Sequence, residues 1–138
     1  MATGQAAGFQ ERPHTADWAL EVWAPDPVTL LDQAAQGMCA LMGLRLQPGP
    51  RVTRSLELRF SDLEGLLVSF LSELLYLRER DDLGFDTFDL TLSDETLRAT
   101  LSGAPIESQS KEIKAVTYHN LVIRRTDRGL EVTIVFDV

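Results

Sequence analysis

Cysteine is almost missing from this chain: Cys39 is the only one. One thiol can form neither an internal disulfide nor a zinc cluster. The fold therefore does not rest on oxidation and suits a reducing compartment, and a cytoplasmic location is expected. Long apolar runs are missing too. No stretch approaches the roughly 18 residues of a membrane span, so no membrane attachment is expected. The opening MATGQAAGFQER lacks the apolar centre of a signal peptide. Residues 1–12 are expected to be a short flexible lead-in, followed by one domain at 13–138. Positive charge is scarce: 13 Lys and Arg stand against 21 Asp and Glu, a formal net charge of −8. The basic residues are scattered, with no stripe to follow a polyanion, so direct nucleic-acid binding is not expected. An acidic surface suits a cation, or a protein partner with a basic face. Catalytic signatures are also missing. There is no G-x-x-x-x-G-K-[ST], G-x-G-x-x-G, H-E-x-x-H or G-x-S-x-G. No catalytic residue is assigned, and the chain is not expected to be an enzyme.

What remains is a soluble-domain composition, 44% hydrophobic and 25% charged, arranged in two periods. Trp18, Leu20 and Val22 alternate with Ala19, Glu21 and Trp23, which predicts a strand. Asp26-Pro27 then offers an N-cap followed by a proline at the first helical position. Leu30, Leu31, Ala34, Met38, Leu41 and Met42 recur at helical spacing, and Gly43 is a stop. That stripe is read as core packing. It carries Cys39 on its inner side, which argues against a nucleophilic role. Gln47 to Arg51 is a turn. Leu56, Leu58 and Phe60 predict a second strand. Ser61-Asp62-Leu63-Glu64 has the form of a capping box, with Ser61 as N-cap. The helix behind it carries a wide apolar face, Leu66 to Leu75. Phe88–Leu92 and Leu97–Leu101 predict a hairpin. Gly103 to Lys111 reads as a polar loop and Ile113 to Arg124 as a long β-rich run. Asp127-Arg128-Gly129 turns the chain into a last strand. The order is β-α-β-α-β-β-β-β. It predicts a single α+β domain, a mostly antiparallel sheet with two helices packed on it.

Four stretches carry more. These are His14-Thr15-Ala16-Asp17, Phe70-Leu71-Ser72-Glu73-Leu74-Leu75-Tyr76-Leu77, Glu112 to Asn120 with its core KAVTYH, and the final Val135-Phe136-Asp137-Val138. Together, and in this order, they resemble the archease family from about His14 to Val138. The resemblance implies an α+β accessory protein for the RNA-splicing ligase, which joins RNA ends through a guanylylated histidine using GTP and divalent metal. The accessory protein would promote guanylylation and so permit multiple turnover.

Alternation places Asp17 opposite Trp18, Leu20 and Val22, and Asp137 opposite Phe136 and Val138. Both carboxylates lean away from the apolar face, and the α-carboxylate of Val138 is expected next to Asp137. If the first and last strands lie together, three anionic groups converge, and such groups repel unless a cation joins them. Oxygen ligands suit a hard divalent ion, Ca²⁺ first, with Mg²⁺ or Mn²⁺ as alternatives. Read without the resemblance, both aspartates are solvated edge charges. With it, Asp17, Asp137 and Val138 are the implied metal ligands. Lys114 reads either as an exposed strand lysine or as a cation beside the carboxylates that meets the ligase. His119 reads as a structural histidine or a functional contact. His14 reads as a group orienting Asp17 or as a residue leading into the strand. Trp18-Ala19 and the acid-poor stretch Gly103–Lys111 depart from the family pattern. Two other classes stay open: a metal-dependent hydrolase, and a metal-free chaperone-like binding module. The former has no evident general base.

Overall fold

The structure is a computed structural model that describes residues 6–12 and 18–138. Helix α1 spans Pro27–Met42. Its start is the predicted one: Asp26 is the N-cap, and its carboxylate accepts the Thr29 N–H at 2.8 Å. Gly43 ends the helix in the left-handed region, at φ 62°. Helix α2 spans Leu63–Asp81. Its N-cap is Asp62, not Ser61, and the Asp62 carboxylate accepts from the Gly65 N–H at 2.6 Å. Both residues are competent caps. The helix takes the second, which frees Glu64 to accept the N–H of Ile123 at 3.1 Å, across the fold.

All strand pairs among the described residues are antiparallel and fall into two sheets. The first sheet has the order β1 (Gly8–Arg12), β2 (Trp18–Ala24), β9 (Gly129–Asp137) and β7 (Ala115–Val116), with β8 (Arg124–Thr126) also on β9. The second has the order β3 (Arg45–Leu46), β6 (Thr96–Ser108) and β4 (Val52–Arg59), with β5 (Leu83–Leu92) pairing β6. Helix α1 packs on β1 and β2 of the first sheet and on β5 of the second. Helix α2 packs on β4, β5 and β7 and touches α1. One core results. Leu20, Val22 and Phe136 meet Leu30, Leu31 and Met38 of α1, with Leu66, Phe70 and Leu71 of α2 in the same cluster. Burying a side chain of this size contributes about 1.5–3 kcal/mol. The α+β class, the two helices and the antiparallel pairing are those the sequence predicts.

Three local expectations are corrected. Within the expected lead-in, Gly8–Arg12 form the edge strand β1, in register from Gly8 opposite Trp23 to Arg12 opposite Ala19. All but Gly8 are exposed in this strand, so no alternation marks it. Second, the expected loop Gly103–Lys111 is strand as far as Ser108, because β5 pairs through Pro105 while β3 takes up Ile106 and Ser108. Third, the β-rich run Ile113–Arg124 shortens to Ala115–Val116, with Arg124 opening β8. Between them the chain turns away from β9 through Asn120, whose φ is 52°.

Gly103 is required by close approach. A bulge makes Asp86 the extra residue in β5, between the pairs Phe85–Gly103 and Thr87–Ser102. A Cβ on Gly103 would stand 1.8 Å from the Gly84 carbonyl oxygen and 2.7 Å from the Phe85 Cα. These are backbone atoms, so β5 itself would have to move. Gly103→Ala is therefore expected to destabilise the fold by ~3 kcal/mol. Urea unfolding checks this, and a midpoint equal to wild type would show that the two strands have room to spare.

Candidate functional site

The site is built at the end of β9. Phe136 is fully buried and Val135 nearly so, and this anchors the strand up to its last residue. Asp137 is then exposed, and Val138 packs partly against the core. β9 has neighbours on both sides here. On one side Trp18 pairs with Phe136. On the other, Ala115 pairs with Asp137 and Val116 with Phe136. The Lys114 N–H donates to the Asp137 carbonyl at 2.8 Å. The Thr117 N–H and hydroxyl both donate to the Val135 carbonyl, at 3.0 and 2.9 Å. The segment Lys114–Thr117 is thus zipped along the last residues of β9.

Among the predicted site residues, the structure brings Lys114, Asp137 and Val138 together. Lys114 is exposed beside the exposed Asp137. Asp17 and His14 lie outside the described residues. Trp18, the residue after Asp17 in the chain, faces Phe136, the residue before Asp137. His119 is not on the β7–β9 ladder. It sits in the turn that leaves it, where its N–H donates to the Thr117 hydroxyl at 3.2 Å and its Nε2 lies 3.3 Å from the Asn120 side-chain amide. Among the described residues, no three of His, Cys, Asp and Glu stand close enough to hold a metal ion. The oxygen donors present at this corner are those of Asp137 and Val138. An exposed carboxylate oxygen such as that of Asp137 is the donor type a hard cation takes.

Two further cations belong to the corner, and sequence reading passed over both. The Lys111 ammonium lies 4.2 Å from the centre of the Trp18 ring. The Arg78 guanidinium donates to the Ile113 carbonyl at 3.0 Å and to the Gln109 side-chain oxygen at 3.2 Å. Arg78 directly follows the Phe70–Leu77 stretch, and in sequence it resembles any basic residue in a last helical turn. Lys111 looked like the end of a loop. The carboxyls held below their ordinary range stand elsewhere, each beside an arginine: Asp81 by Arg80, Asp86 by Arg51, and Glu131 by Arg128 with Thr126. These are surface ion pairs, which contribute little to stability. No helix among the described residues is long and apolar enough to cross a membrane.

Comparison with known proteins agrees with the fold. The model of the Archease protein family matches residues 9–138. A protein archease from Methanopyrus kandleri is 33% identical, covering 86% of this chain and 91% of its own. One from Methanosarcina barkeri is 30% identical over 99% of both. In fold, the chain is similar to the solution structure of Methanobacterium thermoautotrophicum protein 1598, with TM-score 0.70, 23% identity and coverage of 95% and 99%. It is also similar to the crystal structure of a Thermotoga maritima archease described as a possible chaperone, with TM-score 0.69, 22% identity and coverage of 94% and 98%.

The one cysteine stands apart from the corner. Cys39 lies on α1, and its thiol points to the Phe85 carbonyl at 3.6 Å. Burial, with the negative charge of Asp86 added, pushes that thiol up to about 12. The thiolate is the reactive form, so the native protein should react with a thiol reagent at pH 8 markedly more slowly than free cysteine. The urea-unfolded chain should react at the ordinary rate. Native reactivity equal to that of free cysteine would refute the buried placement.

Proposed function

Because the chain belongs to the archease family, we propose that it is an accessory protein that sustains multiple turnover of an RNA-splicing ligase by promoting its guanylylation, with a bound divalent cation. The reading is carried by one observation: the exposed Asp137 carboxylate ends β9 between Trp18 on one side and the bonded Lys114 segment on the other. In this proposal Asp17, Asp137 and the terminal carboxylate of Val138 hold the ion, Ca²⁺ in the first instance. When bound, it would neutralise the clustered negative charge and offer an anionic group a positive anchor. Lys114 supplies a second, fixed positive charge within the same corner. Its ammonium reaches solvent while its backbone is tied to Asp137, so it can meet a phosphate or carboxylate of the ligase without reorganising the fold. His119 holds the turn after β7, and the role proposed for His14 is to orient Asp17. The partner is a protein, since a chain with net charge −8 gives nucleic acid no basic track. The reducing cytoplasm suits its single, half-buried thiol.

Two predictions test the reading. Asp17→Ala and Asp137→Ala should each abolish calorimetric Ca²⁺ or Mn²⁺ binding while the circular dichroism spectrum stays that of the wild type. An extension after Val138 should weaken binding. Unchanged affinity in both aspartate variants would remove the metal from the proposal. Lys114→Ala should fold and bind metal yet lower stimulation of multiple-turnover ligation by about two orders of magnitude, because a desolvated charged contact is worth a few kcal/mol. Full stimulation by that variant would reduce Lys114 to a solvated surface residue. Ligation of RNA by this protein alone, free of ligase, would overturn the accessory role.

A further inference from the structure

Residues 109–113 connect β6 to β7 without belonging to any strand, so no sheet ladder holds them. Ile113 is nonetheless fully buried, and its carbonyl needs a donor inside the protein. That donor is the Arg78 guanidinium, at 3.0 Å, whose other terminal nitrogen reaches the Gln109 side-chain oxygen at 3.2 Å. The next backbone bond along the chain is Lys114 N–H to the Asp137 carbonyl, at 2.8 Å. At the other end of the same segment, the Ser110 and Lys111 N–H groups both donate to the Met42 carbonyl, the last of α1, at 2.9 and 3.2 Å.

We infer that Arg78 is a positioning residue for Lys114: its guanidinium fork clamps the strap 109–113 from both ends and so fixes where Lys114 meets Asp137. The choice of acceptors supports this over an ion-pair role. Both oxygens are neutral, and among the described residues no carboxylate forms a salt bridge with Arg78. Its Nε is buried without a hydrogen-bond partner, a cost tolerated when its terminal nitrogens are fixed by Ile113, Gln109 and, at 3.9 Å, the Met42 sulfur. A planar fork can span two acceptors at once. A lysine ammonium, a single point on a flexible stem, holds such a pair with far less preorganisation. The clamp stands on these contacts alone. Its consequence for ligase turnover rests on the role proposed above for Lys114.

The test separates the two. In Arg78→Met, which keeps the hydrocarbon stem, amide hydrogen exchange measured by NMR should speed up at Lys114 by at least about tenfold. The amides of Val22 and Val132, within the β2–β9 ladder, should not change. Gln109→Ala removes one of the two acceptors from an exposed position and should give a smaller acceleration in the same place, with no risk to folding. In multiple-turnover ligation, Arg78→Met should lose stimulation with its half-saturating concentration raised. Adding it to Lys114→Ala should cost nothing more, because both changes act through one contact. Unchanged exchange at Lys114 in both variants would overturn the clamp. So would equal acceleration at Val22 and Val132, which marks general loosening. Additive losses in the double variant would overturn its action through Lys114. If Lys114→Ala alone stimulates fully, the proposed function of Lys114 fails while the exchange result still decides the clamp.

Discussion

The pairing of β2 with β9 is the constraint on which the rest depends. It runs from Trp18 opposite Phe136 to Ala24 opposite Leu130, and it joins the first long strand to the last, across almost the whole chain. Its inward residues, Leu20 with Ile134 and Val22 with Val132, are among the most buried in the protein, and α1 lies on them. A contact this distant in sequence is costly in loop-closure entropy and is repaid only when the helices between the two strands fold back over the sheet. The same ladder decides where the candidate site is. Where it ends, β9 runs one residue further, to Asp137, which pairs with Ala115 of β7.

That corner therefore has a rigid floor and an exposed rim. Phe136, Val135 and Ile113 are buried beneath it, while Asp137 and Lys114 stand in solvent above. The rim is held by backbone bonds, Lys114 to Asp137 and Thr117 to Val135, which do not depend on either side chain. Side chains at the rim can thus be replaced without opening the core. An exposed residue away from such anchors changes stability by only a few tenths of a kcal/mol, so loss of function there reports on function. Much of the support for the rim comes from α2, through Arg78 at one end and Glu64, bonded to the Ile123 N–H, at the other. The two bonds bracket the segment that carries Lys114 and His119.

Most of the framework was legible in the sequence because it follows local rules. Asp26-Pro27 and Gly43 bound α1 as capping chemistry requires, and alternation marked β2 and β9. The failures share one cause. β1, the far half of β6, and the broken run after Ile113 are set by tertiary pairing and not by their own pattern. An edge strand such as Gly8–Arg12 shows solvent on nearly every residue and so has no period to read. Ser61 and Asp62 are equally good caps on local grounds, and the distant Ile123 amide that engages Glu64 was invisible. At the corner, the motifs had singled out Lys114, Asp137 and Val138. They did not locate Arg78 or Lys111, whose importance lies in contacts with Ile113 and Trp18 that only the folded chain creates.

The electrostatics of the corner follow from the same arrangement. A net charge of −8 disfavours gathering further carboxylates at one point, and the β2–β9 register pairs Trp18 with Phe136, one residue before Asp137. Elsewhere on this surface, several acidic groups meet arginines in direct ion pairs: Asp86 with Arg51, Glu57 with Arg98, and Glu131 and Glu21 with Arg128. Asp137 has no such arginine among the described residues. The Lys114 backbone is tied to it, its N–H donating to the Asp137 carbonyl. The other two cations of the corner are already engaged, Lys111 on the Trp18 ring and Arg78 on the Ile113 carbonyl. Asp137 is exposed at the end of β9, and its carboxylate is the charge that the cation proposed above would meet.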